Sequence, residues 1–299
     1  MSASDTMNGD ITVLRRAPGV PIGVRLAVDL WVLVSAAIMV GCAHAPNAAL
    51  QLRTDRPIAL LGEVHDNAAG HALRLRAFDA LLARGARPAL VLEQFDRTDQ
   101  PALDAARGRT PAPGAAELVA AVQAARGGSA GQAPAGWNWS FYEPFIERAL
   151  RYELPIVAAN IGRDEARKVM REGLAAHGFE AHVPDDIVAG IAATIEASHC
   201  GQVDNTLARR MSLAQVARDR QMARAVSAHA ARGAVLLAGN GHVRRDLGVP
   251  RWLSAIARER VQSIGVLEDG DPAGAFDTRI FVPAQPRPDP CASMRPPAP

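Results

Sequence analysis

Two short motifs that pair glycine with histidine are the residues best suited to chemistry. Gly-Glu-Val-His occupies residues 62–65 and Gly-Asn-Gly-His occupies residues 239–242, and each directly follows an apolar run. Glycine lets the backbone turn sharply beside a ligand, and an imidazole can bind a metal, carry a proton or donate a hydrogen bond. For one motif alone, a loop hydrogen bond from His65 beside a helix cap at Asp66 and Asn67 would be a sufficient explanation. Two equivalent motifs favour a binding or catalytic site.

Two further polar side chains end apolar runs in the same way. Glu93 follows the second run along the chain, and Asn160 ends the third. In open parallel sheets, ligands bind beyond the carboxyl ends of the strands. The sequence therefore predicts that both side chains lie at one edge of a sheet with the two motif histidines.

A third candidate is a cluster of aromatic residues. Five aromatic side chains fall within residues 137–145, and Tyr142 is one of them. Aromatic side chains line pockets for flat apolar ligands, and a tyrosinate can ligate ferric iron. The alternative is an ordinary core cluster that anchors a helix over residues 142–151. The sequence alone leaves both interpretations open.

The elements that must position these residues alternate between short apolar runs and helical patterns. Five runs lack the polar alternation of a half-exposed strand: residues 58–61, 89–92, 155–159, 235–238 and 263–267. Strands that are buried on both faces of a parallel sheet have this composition. A helical pattern of leucine and phenylalanine separates the first two runs. We therefore expect an α/β fold in which a mostly parallel sheet is flanked by helices.

A helical insertion interrupts this pattern between the third and fourth runs. Residues 164–232 show helical patterns and no strand, which predicts a smaller helical domain. The α/β ligand-binding core then comprises residues 52–163 and 233–282. The last segment, residues 283–299, is rich in proline and is expected to be disordered.

The first residues have the pattern of an export signal. Arginines precede an apolar run over residues 30–40, which is shorter than the roughly 20 residues of a normal membrane span. Gly41 and Cys42 follow the run and resemble the bacterial lipobox, in which the cysteine is lipidated. We therefore expect residues 1–41 to be a signal peptide of lipoprotein type and Cys42 to carry the lipid. An uncleaved membrane anchor is the alternative.

The composition is that of a globular protein and excludes several classes. The 299 residues are 48% hydrophobic and 21% charged, with a formal net charge of +2. No basic run supplies the surface that would neutralise phosphates, so nucleic-acid binding is not expected. Three cysteines are too few for a disulfide scaffold and lack the spacing of a zinc site. Cys200 and Cys291 could pair in an envelope compartment, and the sequence leaves that pairing open.

Together these motifs resemble the ChaN-like haem-binding uptake family of the Tiki superfamily. The similarity runs in the expected order over about residues 55–255, which makes it far more specific than any single motif. Seven segments carry it: Leu60-Leu61-Gly62-Glu63-Val64-His65-Asp66, Leu92-Glu93-Gln94-Phe95, Trp139-x-x-Tyr142-x-Pro144, Ala159-Asn160-Ile161, His199-Cys200-Gly201, Arg218-Asp219-x-x-Met222-Ala223 and Gly239-Asn240-Gly241-His242-Val243.

The resemblance implies a haem-binding lipoprotein that serves haem and iron acquisition. It implies a location in the bacterial cell envelope, with Cys42 as the membrane anchor in an outer membrane and the protein facing the periplasm. It also implies that haem sits between two protomers, so that a homodimer forms with the ligand.

The same resemblance suggests which residues contact the haem. Tyr142 is the candidate axial ligand, and His65 or His242 is a further ligand or a partner of the propionates. Asn160 lies at the same predicted edge of the sheet. Arg163, just beyond the third run, is another propionate candidate.

A hydrolase is the alternative, because the superfamily also contains erythromycin esterases and metal-dependent proteases. His65 and His242 would then hold a metal or act as bases, and Glu63 or Glu93 would activate water. We favour binding over catalysis because of the aromatic cluster and the closer overall similarity. On that interpretation the haem iron is the only metal expected.

Overall fold

Strands form at all five of the apolar runs, and a sixth strand follows them. They are β1 (Ile58–Leu61), β2 (Ala89–Asp96), β3 (Ile156–Asn160), β4 (Ala234–Leu237), β5 (Val261–Glu268) and β6 (Thr278–Val282). The computed structural model describes residues 50–128, 136–272, 274–289 and 291–292. The predicted signal peptide and Cys42 lie outside these ranges. Every residue of β1, β4 and β5 is buried, as expected for strands that are covered on both faces.

The strands form one parallel sheet in the order β3-β2-β4-β1-β5-β6. The prediction of an α/β fold is therefore confirmed. β1 and β4 are neighbours in the middle of the sheet, and Leu61 is paired in register with Leu237. The two glycine–histidine motifs follow these strands, so the topology alone brings them to adjacent positions at one edge.

Strand β6 is not evident in the sequence because it lies at the edge of the sheet. Most of its side chains are exposed or half-buried, so it lacks the continuous apolar run of the other strands. It pairs with β5 from Ile264 opposite Thr278 to Glu268 opposite Val282.

Helices cover both faces of the sheet. They are α1 (Ala68–Ala83), α2 (Gln100–Arg107), α3 (Ala115–Ala125), α4 (Glu143–Arg151), α5 (Arg163–Glu172), α6 (Asp185–Ser198), α7 (Asn205–Ala228), α8 (Asn240–Val243) and α9 (Ala255–Glu259). Asn67 caps α1 by accepting a hydrogen bond from the Gly70 amide over 2.9 Å. Apolar side chains of α1, α3 and α4 form the core on one face, and the end of α7 packs on the other.

The predicted helical insertion is made of α5, α6 and α7, and it is continuous with the sheet. The first half of α7 packs against α5 and α6 in a cluster that includes Ile191 and Ala214. The second half packs on the sheet through Met222 and Val226. One long helix therefore belongs to both the insertion and the α/β core.

The proline-rich tail, residues 283–299, is expected to be disordered, and the structure describes its first part. Residues 283–289 lie against the fold, where Arg287 forms ion pairs with Asp66 and Glu268. These contacts join the tail to residues that are distant from it in sequence. Residues 290 and 293–299 lie outside the described residues.

Cys200 and Cys291 form a disulfide, with their Cα atoms 5.7 Å apart. The bond joins the turn between α6 and α7 to the tail, across 91 positions of sequence. None of the helices described is long and apolar enough to cross a membrane.

Candidate functional site

A buried carboxylate, Glu63, is the centre of the first group of polar side chains. It follows β1 at the carboxyl edge of the sheet and is 4% exposed. The Tyr142 hydroxyl donates to Glu63 Oε1 over 2.6 Å, and Arg74 Nη1 donates to the other carboxylate oxygen. His65 Nδ1 lies 3.0 Å from Glu63 Oε1. Side chains from α1, from the segment before α4 and from the motif itself therefore meet on one carboxylate.

The contacts of Glu63 fix the protonation states of this group. Burial alone would raise the pKa of Glu63, but the charge of Arg74 and the hydrogen bond from His65 outweigh it and lower that pKa to about 2. Burial and the charge of Glu63 both raise the pKa of the Tyr142 hydroxyl. At neutral pH the carboxylate is therefore ionised and the phenol keeps its proton.

His65 is the member of this group that faces solvent. Its side chain is 50% exposed, and its ring centroid lies 4.1 Å from that of Trp137. The hydrogen bond to Glu63 raises the pKa of His65, while partial burial of the ring opposes this effect. Within the described part of the chain, Nε2 has no hydrogen-bond partner, so this nitrogen is available to a ligand.

Helix α1 supports His65 through a second histidine, His71. The His71 ring stacks on Phe141 with centroids 4.2 Å apart, and its Nε2 lies 3.1 Å from the carbonyl oxygen of His65. Burial, reinforced by the charge of Arg74, lowers the pKa of His71 to about 4. His71 is therefore neutral at pH 7, and as the Nε2–H tautomer it donates to the His65 carbonyl group.

The second motif places His242 between two carboxylates. Its Nδ1 lies 2.6 Å from Asp219 Oδ1, and its Nε2 lies 3.4 Å from Glu93 Oε1. The Gly239 amide donates to the other Glu93 oxygen over 2.8 Å. Both ring nitrogens of His242 thus face protein groups. Among the described residues, only Nδ1 of His65 does so.

Electrostatic interactions among His242, Asp219 and Glu93 determine the pKa values in this second group. Burial would lower the pKa of His242, but Glu93 and Asp219 raise it to about 10. Burial raises the pKa of Asp219 to about 6, although His242 opposes the effect. Burial would also raise the pKa of Glu93, but the charge of His242 outweighs it and lowers that pKa. At neutral pH, His242 is an imidazolium ion held by two carboxylates.

A cavity of about 350 Å³ lies in front of both histidines. This volume falls in the range for small-molecule sites. The sheet edge and the α6–α7 pair form its two walls. The sheet edge contributes His65, Glu93, Gly239, Gly241 and His242. The α6–α7 pair contributes an apolar patch of Ile191, Ile195 and Met211, together with polar side chains that include Thr194, Gln215 and Asp219, and Arg244 and Leu247 lie beside them.

The structure brings three of the predicted site residues together and separates the others from the cavity. His65, Glu93 and His242 line it. Tyr142 is wholly buried behind them, with its hydroxyl bound to Glu63. Asn160 is buried and uses its side chain on the Glu93 carbonyl group and the Ile161 amide, at 2.9 Å each.

Arg163 begins α5 and is exposed to solvent. It is not among the described residues that line the cavity. Arg244 is the arginine in that lining, and it also binds Asp246 through Nε over 2.9 Å.

Sequence reasoning missed Asp219 and Arg74 as site residues. Asp219 lies in a charged stretch of α7, yet its side chain is buried, with 2% of the residue exposed. Its position three residues after Val216 and three before Met222 places it on the apolar stripe of that helix, which was the available signal. Arg74 lies in the same way on the buried face of α1, four residues before Phe78.

The two histidines belong to separate carboxylate groups and do not form one set of metal ligands. Among the described residues, no group of three or more histidine, cysteine, aspartate or glutamate side chains is arranged to hold a metal ion. The arrangement instead offers one accessible imidazole nitrogen in a cavity that has an apolar patch formed by Ile191, Ile195 and Met211. Such a site suits a flat apolar ligand that carries its own metal ion.

Comparison with known proteins agrees with the fold and with the motifs. The family model described as haem-binding uptake, Tiki superfamily, ChaN matches residues 50–253, which is more than half of the chain. No curated protein matches the sequence significantly.

Two solved structures are similar to the chain. One is described as cofacial heme binding to ChaN of Campylobacter jejuni; it is 22% identical, with a TM-score of 0.59 over 73% of this chain and 84% of that one. At this identity the likeness shows a shared fold. The other, a protein of Bacillus cereus, is 14% identical with a TM-score of 0.35, over 71% of this chain and 65% of its own.

Proposed function

The chain belongs to the haem-binding uptake family of the Tiki superfamily that includes ChaN, and on that premise we propose that it binds haem in the cavity in front of His65 and His242. The observation that carries this assignment is the state of His65. Its ring is half exposed, Nε2 is free of protein partners within the described residues, and Nδ1 faces the buried Glu63 carboxylate. A histidine that ligates a metal usually donates its other N–H group to a carboxylate in this way.

We assign the axial contact to His65 and a supporting role to Tyr142. Haem, when bound, supplies an iron centre to which an imidazole nitrogen coordinates. The Tyr142 oxygen would have to leave Glu63, lose its proton against a raised pKa and emerge from a fully buried position before it could serve as a ligand. In its observed position, Tyr142 orients the carboxylate that orients His65.

The remaining groups suit the other parts of a haem molecule. Ile191, Ile195 and Met211 present apolar atoms to a macrocycle, and Arg244 places a cation in the same lining for a propionate. His242, Glu93 and Asp219 form a charged group beside Gly239.

Titration of the purified protein with hemin, followed by absorption, tests the assignment. We expect a Soret band that saturates, and a His65→Ala variant whose band is shifted and whose affinity is at least about tenfold lower, because one coordinate bond is lost. His182→Ala is a matched control, since the His182 side chain is exposed and lies outside the cavity lining. Identical titrations for His65→Ala and wild type would refute the assignment.

The envelope location and the role in iron acquisition are further parts of the proposal. The lipobox-like Gly41-Cys42 supports a lipid anchor, and the Cys200–Cys291 disulfide supports an oxidising compartment. Mass spectrometry of the protein isolated from membranes should find a chain that begins at a lipid-modified Cys42. A Cys42→Ser variant should keep the full leader and carry no lipid; a lipidated Cys42→Ser protein would contradict the anchor.

A homodimer that forms with haem is the remaining expectation. The similar Campylobacter protein binds haem cofacially, which supports the proposal that a second protomer covers the solvent side of the cavity. Sizing of the protein with and without hemin should show a shift from monomer to dimer. An unchanged mass at saturating hemin would show that one protomer holds the ligand alone.

A further inference from the structure

The C-terminal tail contacts the wall of the cavity that carries His65. Asn67 Nδ2, at the start of α1, donates to the Pro283 carbonyl oxygen over 2.9 Å. The Gln285 amide donates to Glu268 Oε1 over 2.9 Å. Residues 283–289 of the tail are therefore held where the first motif leads into α1.

Arg287 ties the tail to the residue next to His65. Its Nε donates to Asp66 Oδ2 over 2.7 Å, and its Nη1 donates to Glu268 Oε2 over 2.6 Å. Asp66 directly follows His65 in the chain. The position of the His65 loop is thus coupled to the position of the tail.

The disulfide ties the same tail to the opposite wall. Cys291 bonds to Cys200, which lies in the turn between α6 and α7. His199 and Ser198, directly before Cys200, line the cavity. Arg287 and Cys291, which are close together in the chain, therefore hold opposite walls, the first by ion pairs and the second by a covalent bond.

We propose that this tail is a strap that fixes the two walls of the cavity, and that its disulfide determines how fast haem leaves. This inference rests on haem occupying the cavity as proposed above. Arg287 and Cys291 are positioning residues, because the tail holds the walls without lining the cavity itself. Without the covalent tie, the tip of the α6–α7 pair can separate from the His65 loop by local opening, which costs less than global unfolding.

The strap would respond to thiol chemistry in the compartment. A dithiol reductant opens the bond when one of its thiolates attacks the sulfur of Cys200 or Cys291 and the other cysteine leaves as a thiolate that takes up a proton. The second thiol of the reductant then displaces the attacked cysteine. Two electrons and two protons pass to the protein, and the reductant becomes a disulfide.

The test is the rate at which hemin passes from the loaded protein to excess apomyoglobin. In the Cys200→Ser/Cys291→Ser double variant we expect release about tenfold faster than in wild type, because changes at a binding site act mostly on dissociation. Both cysteines are replaced so that no free thiol can ligate the iron. Dithiothreitol should speed release from wild type to the same level and leave the double variant unchanged.

A second variant keeps the test independent of the disulfide. Arg287→Gln keeps both cysteines but loses the ion pairs to Asp66 and Glu268, and it should also speed release. Arg209→Gln is the control, since it removes an exposed pair with Asp185 on the same helices, away from the tail. In the ligand-free proteins, amide hydrogen exchange around residues 196–205 should quicken in the double variant and remain unchanged in the control.

The possible results distinguish a failure of the strap proposal from a failure of the proposed haem binding. Release at the wild-type rate in both the double variant and Arg287→Gln would overturn the strap while leaving haem binding intact. If the double variant does not fold, the release rate of Arg287→Gln alone tests the strap: faster release than wild type supports it, and the wild-type rate overturns it. Failure of the wild-type protein to bind hemin at all would instead refute the proposed function.

Discussion

The neighbours of His65 and His242 explain why the two side chains differ in the protein partners of their ring nitrogens. Glu63 is ionised in the interior because Arg74 and Tyr142 also bind it, and among the residues that the structure describes this leaves His65 with one nitrogen engaged and one free. His242 is engaged on both sides by Asp219 and Glu93. The same side chain therefore serves as a ligand candidate in one motif and as a fixed cation in the other.

The pairing of Glu63 with Arg74 predicts a large loss of stability when one partner is removed. Arg74→Met leaves the buried carboxylate without its cation, which we expect to cost about 3 kcal/mol in the free energy of unfolding. Urea denaturation followed by circular dichroism measures this. The double variant Glu63→Gln/Arg74→Met should lose much less than the sum of the two single variants, and additive losses would show that the pair is not coupled.

The raised pKa of His242 predicts a pH dependence of stability. Because the folded protein holds this proton more tightly than the unfolded chain does, the proton contributes stability that is fully present below about pH 6.5 and is lost as the pH rises through about 10. The difference in melting temperature between wild type and His242→Gln should therefore shrink from pH 7 to pH 10. His182→Gln serves as the control, and a constant difference for His242→Gln across this range would contradict the assigned charge.

At the scale of elements, the end of β1 is packed too closely for any residue but glycine. A Cβ atom on Gly62 would lie 2.2 Å from Asn240 Oδ1 and 2.9 Å from the Ile264 carbonyl oxygen. Asn240 cannot easily move, because it bonds to Val266 through both the amide and the carbonyl group of that residue. The first glycine of one motif thus makes room for the asparagine of the other.

This packing predicts different effects for two similar substitutions. Gly62→Ala should destabilise the protein by about 2 kcal/mol, because a methyl group is forced into a filled space. Gly241→Ala should change stability by less than about 0.5 kcal/mol, since a Cβ atom there meets nothing within 4 Å. Thermal denaturation of both variants checks the contrast, and equal stabilities would contradict the packing described.

The elements that could be predicted from sequence are those with a strong local pattern. The buried strands were evident because every side chain of β1 and β4 is apolar, and their positions then placed His65, Glu93 and His242 at one edge. β6 was missed because its side chains are mostly exposed. The ion pairs of Arg287 could not be predicted from sequence, because its partners Asp66 and Glu268 are distant from it in the chain.

At the scale of the whole molecule, the site exists because two walls meet. The sheet edge supplies His65, Glu93 and His242, the α6–α7 pair supplies an apolar patch beside polar side chains, and both line the same cavity. The sequence predicted the polar residues at the sheet edge and, separately, the helical insertion. Their juxtaposition depends on α7, which runs from the insertion onto the sheet, and a single sequence does not reveal such long-range packing.

The central claim is that His65, supported by Glu63 and Tyr142, is the residue that holds haem. Equilibrium titration with hemin of His65→Ala and Tyr142→Phe, side by side with wild type, tests it most directly. We expect Tyr142→Phe to keep the wild-type Soret position with an affinity within a fewfold of wild type, and His65→Ala to shift the band and to lose at least about tenfold in affinity. The reverse pattern, with the band lost in Tyr142→Phe and unchanged in His65→Ala, would contradict it.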